Sequence, residues 1–234
     1  MTTLRPIKSG EQILNYYGPL PTSDLLRRYG YTTAKHARYD VAELTWASIK
    51  TIIDSHLPSK TPTNPTPSPS SLEEDDQEEE AFILERTSPD PDETGTLPGP
   101  AHFLSFPEEL ENQALARITA LLPPSQDKPT RKRAARRVFA AVMVEGIRAR
   151  LAEYATSADE DEALLGDLRR ERRGGKGRLE MAVEVRLGEK KVLGEALAFA
   201  EELVRKAEAE AEAGERRGAE TGDGARVKRQ KTSR

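Results

Sequence analysis

Residues 8–31 read KSGEQILNYYGPLPTSDLLRRYGY, and the succession of residue types in them sets the architecture of the N-terminus. Within residues 11–17 (EQILNYY), Ile13, Leu14, Tyr16 and Tyr17 make a short strand-like run. Gly18-Pro19-Leu20-Pro21 must end it, because proline has no N–H to give to a ladder. Thr22 or Ser23 can then cap a short helix over residues 24–29, and Gly30 can stop that helix in the left-handed conformation that other residues avoid. Strand, turn, helix and glycine therefore follow one another directly.

Working outward, the period of the apolar residues becomes helical. Residues 39–57 (YDVAELTWASIKTIIDSHL) bring Val41, Leu44, Ile49, Ile52 and Ile53 to one side, with Trp46 near them as a core residue rather than a ligand platform. Pro107 suits the first turn of a helix over residues 108–122, which Pro123-Pro124 stops. A longer helix is predicted over residues 130–154, basic at its start and apolar through Val138, Phe139, Val142, Met143, Ile147 and Leu151. Residues 156–168 predict a short helix with an acidic start, residues 169–177 (RRERRGGKG) a loop, and residues 178–206 a third long helix with Met181, Val185, Leu193 and Leu197 in its stripe. The fold class expected is mainly α: a helical domain preceded by a small strand-turn-helix element.

Only 36% of the 234 residues are hydrophobic and 32% are charged, so part of the chain is expected not to pack. Residues 59–71 (SKTPTNPTPSPSS), an acidic run and a further Pro/Gly stretch make residues 58–100 read as a disordered insertion, with residues 81–84 (AFIL) as a short docking element. Residues 207–234 lack apolar anchors and read as a brief helical extension followed by a disordered basic tail. The expected units are 1–38, then 39–57 joined to 101–206 across the insertion, then 207–234.

Chemistry is bounded by what is missing. Without cysteine there are no disulfides or thiolate metal sites. His36, His56 and His102 lack the spacing of metal ligands, so no metal is expected. No apolar run reaches the roughly 18 residues of a membrane span and no basic-then-apolar leader opens the chain. Nucleus or cytoplasm is the expected location, with residues 228–231 (KRQK) resembling an import signal. The net charge of −4 conceals segregation: residues 72–81 are acidic, while residues 131–137 (RKRAARR) and 226–234 (RVKRQKTSR) are basic. The acidic run reads either as a solvated linker or as a long-range attractor of a basic partner. The basic clusters carry no interleaved aromatics and read as wet helix faces, so direct nucleic-acid binding is not expected.

Gly10-Glu11-Gln12-Ile13, Asn15, Tyr17-Gly18, Leu20-Pro21 and Leu25-Leu26-Arg27-Arg28-Tyr29-Gly30-Tyr31, in that order, resemble the end of a SET domain in the Rubisco large-subunit methyltransferase class. Within it they look most like the fungal ribosomal-protein lysine methyltransferases. Residues 161–165 (DEALL) followed by 181–190 (MAVEVRLGEK) resemble the closing helices of the same class's substrate-binding domain. The resemblance implies the C-terminal part of an S-adenosylmethionine-dependent protein-lysine N-methyltransferase acting on a ribosomal or other basic protein. Such a transfer is an in-line displacement by a neutral, desolvated amine, which a narrow tyrosine-lined channel can prepare.

By position in the motif, Tyr17 corresponds to the catalytic tyrosine and Tyr29 to an aromatic of the lysine channel. Tyr16 is sent to the opposite face by strand alternation, and Tyr31 stands where the class usually has phenylalanine. Arg27 and Arg28 read as solvated. The class's glycine-containing strand and Asn-His pair, which contact the cofactor, have no counterpart in this sequence. The chain alone is therefore expected neither to hold S-adenosylmethionine appreciably nor to turn over substrate. The alternative expectation is a non-catalytic helical interaction module that retains substrate binding only.

Overall fold

In the computed structural model, which describes residues 6–13, 17–57, 80–87, 99–124 and 127–230, the elements run α1 (Thr22–Tyr29), a 3₁₀ turn (Ala34–Tyr39), β1 (Val41–Thr45), α2 (Trp46–His56), β2 (Ala81–Glu85), α3 (Glu108–Leu121), α4 (Lys128–Ala152), α5 (Ala158–Glu171) and α6 (Arg178–Gln230). The protein is mainly α-helical, with a small strand-turn-helix element at its N-terminus. Among the described residues no helix is long and apolar enough to cross a membrane.

The predicted stripes of α2 to α4 become the main core, while on α6 Leu193 and Leu197 join it and Met181 and Val185 do not. Ile49 and Ile53 of α2, Leu110 and Ile118 of α3, and Met143 and Ile147 of α4 meet Val192, Leu193 and Ala196 of α6, all fully buried. Burying each large aliphatic side chain contributes roughly 1.5–3 kcal/mol. Phe103 and Phe106, ahead of α3, pack edge-on against Phe199 at 5.7 Å, and Phe106 meets Phe139 at 5.9 Å. Arg117 donates to Asp54 at 2.9 Å and ties α3 to α2.

Several expectations are corrected. The helix expected over residues 39–57 begins only at Trp46, where Thr45 caps it; Val41–Thr45 is a strand. Its burial alternates, with Ala42 and Leu44 inward and Glu43 exposed, a period of two hidden among helically spaced apolar positions. Residues 81–84, expected as a docking element inside the insertion, lie in β2, antiparallel to β1 with Ala42 opposite Leu84 and Leu44 opposite Phe82. The rest of the expected insertion, apart from residues 80 and 85–87 and 99–100, lies outside the described residues. Trp46 packs edge-on to Phe82 at 6.3 Å, as a core residue.

The helix α4 starts at Lys128 rather than at residue 130, because Asp127 accepts the Thr130 N–H as its cap and Pro129 fits the first turn. A capping box, with Ser157 and Glu160 bonding each other's backbone N–H, starts α5, which runs to Glu171 through residues expected as loop. The long α6 continues to Gln230, so the tail expected to be disordered is helical to that point. Residues 207–217 (AEAEAEAGERR) are mostly strong helix formers, which favours continuation of the helix.

At the N-terminus, α1 ends at Gly30, whose φ of 74° lets its N–H close on Leu26. The residues before the turn, Glu11–Ile13 and Tyr17, pair with no other strand among the described residues. Leu14, Asn15 and Tyr16, and with them the expected orientation of Tyr16, lie outside those residues.

Candidate functional site

The turn at residues 18–21 and the helix α1 bring Tyr17 and Tyr29 face to face. Their rings stack at 4.0 Å with planes 23° apart, and Tyr31 lies tilted 6.5 Å from Tyr29. Both Tyr17 and Tyr29 remain 42% exposed, so the group forms an aromatic ledge. Its outer faces can receive an alkyl stem or a cation, but the inner faces are in contact, and a lysine passing between them needs the rings to part. Arg27 and Arg28, exposed beside this ledge, are paired with Asp24 at 2.8 and 3.3 Å. Their hydrogen bond and charge hold the Asp24 carboxyl below its ordinary range, Arg27 contributing most.

Behind the ledge, the N-terminal element docks on α6 through a polar seam. Asp40, buried at the start of β1, accepts the Thr22 N–H at 2.9 Å and so completes the first turn of α1. Gly188 of α6 lies against it; a Cβ there would overlap the Asp40 carboxylate. Burial pushes the Asp40 carboxyl up, against the opposing pull of the Thr22 N–H. Glu184, one turn away, takes Lys176 at 2.7 Å, Arg169 at 2.9 Å and the Thr32 hydroxyl. Burial alone would raise its pKa, but these three donors together hold it below the ordinary range. Arg86, just past β2, chelates Glu195 at 2.7–3.0 Å and donates to the Ala37 carbonyl at 2.8 Å, locking the 3₁₀ turn to the same helix.

The two short motifs singled out near residues 161 and 181 pack on each other as the α5–α6 hairpin, over a second small core of Leu165, Val183 and Leu187. Asp161 is fully buried there, bonded by the Arg186 guanidinium and by Lys190 at 2.6 Å. Arg186 above all, with Lys190 and Thr156, drives its carboxyl far below the usual range. Lys190, itself buried, also donates to Thr156 Oγ1 at 3.0 Å and sits over the Tyr154 ring at 4.9 Å. Burial, followed by its bond to Glu189, raises the Tyr154 hydroxyl.

Two clefts result. One, of about 380 Å³, follows the seam between Thr22, Asp40, Glu162, Arg169 and Glu184. Its charges are mostly satisfied by one another, including Glu162 with Lys191 at 2.7 Å, and no aromatic ring lines it. The other, of about 750 Å³, lies between β2 and the start of α3 and is lined by Glu80, Glu85, Glu108 and Glu109 together with Phe82 and Phe106, with no cation among its lining residues. Ile83 of β2, also in its wall, is 51% exposed. An apolar wall with four carboxylates and no counter-charge suits an extended segment rich in lysine or arginine. Sequence reasoning missed this cleft because Glu80 and Glu85 both fall inside the expected insertion. It missed the seam as well, where the one available signal was Gly188 in mid-helix, a mark of close approach. Among the described residues no three His, Asp or Glu side chains converge as a metal site.

Residues 103–193 match the family model described as Rubisco LSMT substrate-binding. Over 49 residues the chain is 45% identical to ribosomal lysine N-methyltransferase 4 of Saccharomyces cerevisiae, a match that covers 21% of this chain and 10% of that protein. The matched stretch is thus about a tenth of the length of this curated relative. The matched span runs from Phe103 into the first third of α6, so it takes in the α3–α4 pair, the α5–α6 hairpin and about half of the acidic cleft. The chain carries a Rubisco-LSMT-like substrate-binding domain related to the fungal ribosomal-lysine methyltransferases.

Proposed function

We propose that this chain holds the protein substrate of an S-adenosylmethionine-dependent lysine methyltransferase, and that the substrate is a ribosomal or other basic protein. The observation that carries the reading is the match of residues 103–193 to a substrate-binding domain, at whose edge the acidic cleft, shared with β2, supplies the chemistry that a lysine-rich segment requires. Four carboxylates around Phe82 and Phe106 attract the cations and cover the apolar stems. The exposed edge of β2 offers its backbone to an extended chain.

Tyr17 and Tyr29 are proposed as the channel end of the site, Tyr17 in the catalytic position and Tyr29 against the lysine stem. The described residues do not fit the cofactor itself. The seam cleft offers no ring to stack on an adenine, and its charged groups are mostly taken up by one another. S-adenosylmethionine is therefore assigned to the complete enzyme and not to these residues.

The test is titration of the full chain with a lysine- and arginine-rich ribosomal-protein peptide. Binding should weaken at least tenfold in the variant Glu80→Gln, Glu85→Gln, Glu108→Gln, Glu109→Gln, and a variant that binds as tightly as the parent would overturn the reading. The closed Tyr17–Tyr29 stack favours a second reading, a module that binds without catalysing. Incubation of the chain with S-adenosylmethionine and the same peptide separates the two. Binding without methyl transfer is expected of this chain alone, and methylation would restore a catalytic role.

A further inference from the structure

The first ten residues of α4, KPTRKRAARR from position 128, hold six cations and no acid. One of them is structurally engaged: Arg131 donates to the carbonyls of Thr119 and Leu122 and so closes the end of α3. The other five, Lys128, Lys132, Arg133, Arg136 and Arg137, are exposed, and among the described residues none of them forms a salt bridge. The nearest counter-charge is the cap Asp127, whose carboxyl feels Arg133 only as a minor influence after its bonds to Thr130.

This arrangement works against the helix that bears it. Lys128–Lys132, Lys132–Arg136 and Arg133–Arg137 are like-charge pairs at i,i+4, each disfavouring the helix. Lys128 also stands in the first turn, at the positive end of the helix dipole, where acidic residues belong. The starts of α3 (Glu108, Glu109, Glu111) and α5 (Asp159, Glu160, Asp161) follow that rule, while α4 inverts it. Positions 4, 7 and 11 beyond Arg136 are Ala140, Met143 and Ile147, all buried. In these turns Ala135 and Arg131 make the contacts with the rest of the fold, so packing does not demand the five exposed cations.

The geometry points to the start of α4 as a binding surface for the phosphate backbone of a nucleic acid, read by charge and not by base. Lys128, Lys132 and Arg136 form one row with about 6 Å of axial rise between successive members, and Arg133 and Arg137 form a second. Three of the five are arginines, whose planar forks bind phosphate oxygens in pairs. The surface is distinct from the acidic cleft, where a polyanion would be repelled, and its binding does not depend on the substrate reading.

The probe is a labelled 20-nucleotide single-stranded RNA of mixed sequence, titrated with the full chain by fluorescence anisotropy between 50 and 200 mM salt. Engagement of the five cations should give a slope of log K against log salt of about −3.5, and so a roughly 130-fold loss of affinity across that range. The variant Lys132→Gln, Arg133→Gln, Arg136→Gln, Arg137→Gln, checked for an unchanged circular dichroism spectrum, should bind at least tenfold more weakly at 50 mM with a slope near −1. A second variant, with Arg226, Lys228, Arg229, Lys231 and Arg234 changed to Gln, should retain most of the binding. The proposal is overturned if the parent shows no binding at 50 mM salt, or if the tail variant loses the binding that the α4 variant keeps. Polyglutamate binding as tightly as the RNA would overturn it too, since that would assign the face to an acidic protein.

Discussion

The start of α5 and the start of α4 solve the same problem in opposite ways. Both are helix N-termini with dense charge, but α5 carries Asp159, Glu160 and Asp161, which suit the dipole, and sinks Asp161 between Arg186 and Lys190. The α4 start carries five exposed cations that repel one another at i,i+4, Lys128 also against the dipole, with no salt bridge among the described residues. Charge at α5 serves the fold, whereas charge at α4 opposes it and so has to be explained by something outside the fold. Between these extremes stands Asp40, buried like Asp161 but given a single backbone N–H rather than two cations.

The largest effect is expected at the satisfied end. Asp161→Ala leaves two cations, one of them the buried Lys190, without their carboxylate, and should cost about 3–5 kcal/mol in urea unfolding. Because the folded Asp161 carboxyl lies far below its ordinary value, its stabilisation is fully present above that value and fades only as the pH drops beneath it. The parent should therefore lose stability on acidification below about pH 4, and the variant should show less of that loss. A variant within 1 kcal/mol of the parent at pH 7 would remove the contrast with α4.

Next in size is Gly188→Ala, which drives a methyl group into the Asp40 carboxylate and should destabilise by roughly 1–3 kcal/mol. Because Asp40 closes α1, the loss should appear first as faster amide exchange in residues 22–29, ahead of the main core. Uniform exchange across all helices would show that the N-terminal element is not held through this contact.

Asp40→Asn should act in the opposite direction and more weakly, on the order of 1 kcal/mol. The folded carboxyl sits above its ordinary value of 3.8, so its contribution is fully present below that pH and is lost as the pH rises through the folded value. Parent and variant should match near pH 3.5 and diverge above it, with the variant the more stable at pH 7. Curves that run parallel from pH 3 to pH 8 would mean that Asp40 is as well satisfied as Asp161.

How much of this was legible beforehand follows the same division. The apolar stripes of α3 and α4 were readable because they repeat at helical period over many turns. Of the α6 positions expected, by contrast, only Leu193 is fully buried, and Val183 and Leu187 take the place expected of Met181 and Val185. The strands were not, since β1 spans only five residues whose apolar positions also fit a helix, and its partner β2 lies 36 residues beyond β1 in sequence, inside a stretch of linker composition. The tyrosines were legible from their motif, though not the fact that they stack. The basic run of α4 was visible as composition. Its lack of ion pairs was not, because pairing depends on which helices lie beside it, and only the folded chain sets that. For Asp161 the sequence offered an acid in a first turn and two cations 25 and 29 residues away, with nothing to say that they would meet.

The smallest effect is the one that most sharpens the comparison. Lys128→Glu puts an acid in the first turn of α4 and turns the repulsive i,i+4 pair with Lys132 into an attractive one, with the acid on the favourable N-terminal side. Stability should rise by roughly 0.5–1 kcal/mol. The same change should weaken binding of the 20-nucleotide RNA several-fold at 50 mM salt and make its salt dependence shallower by about one unit or more. A gain in one property with a loss in the other is what a charge held for a ligand predicts. If stability rises while RNA binding is untouched, the cations are only a tolerated flaw in the helix. If neither moves, the dipole and pairing terms at this end are too screened to matter, and the contrast with α5 reduces to burial alone.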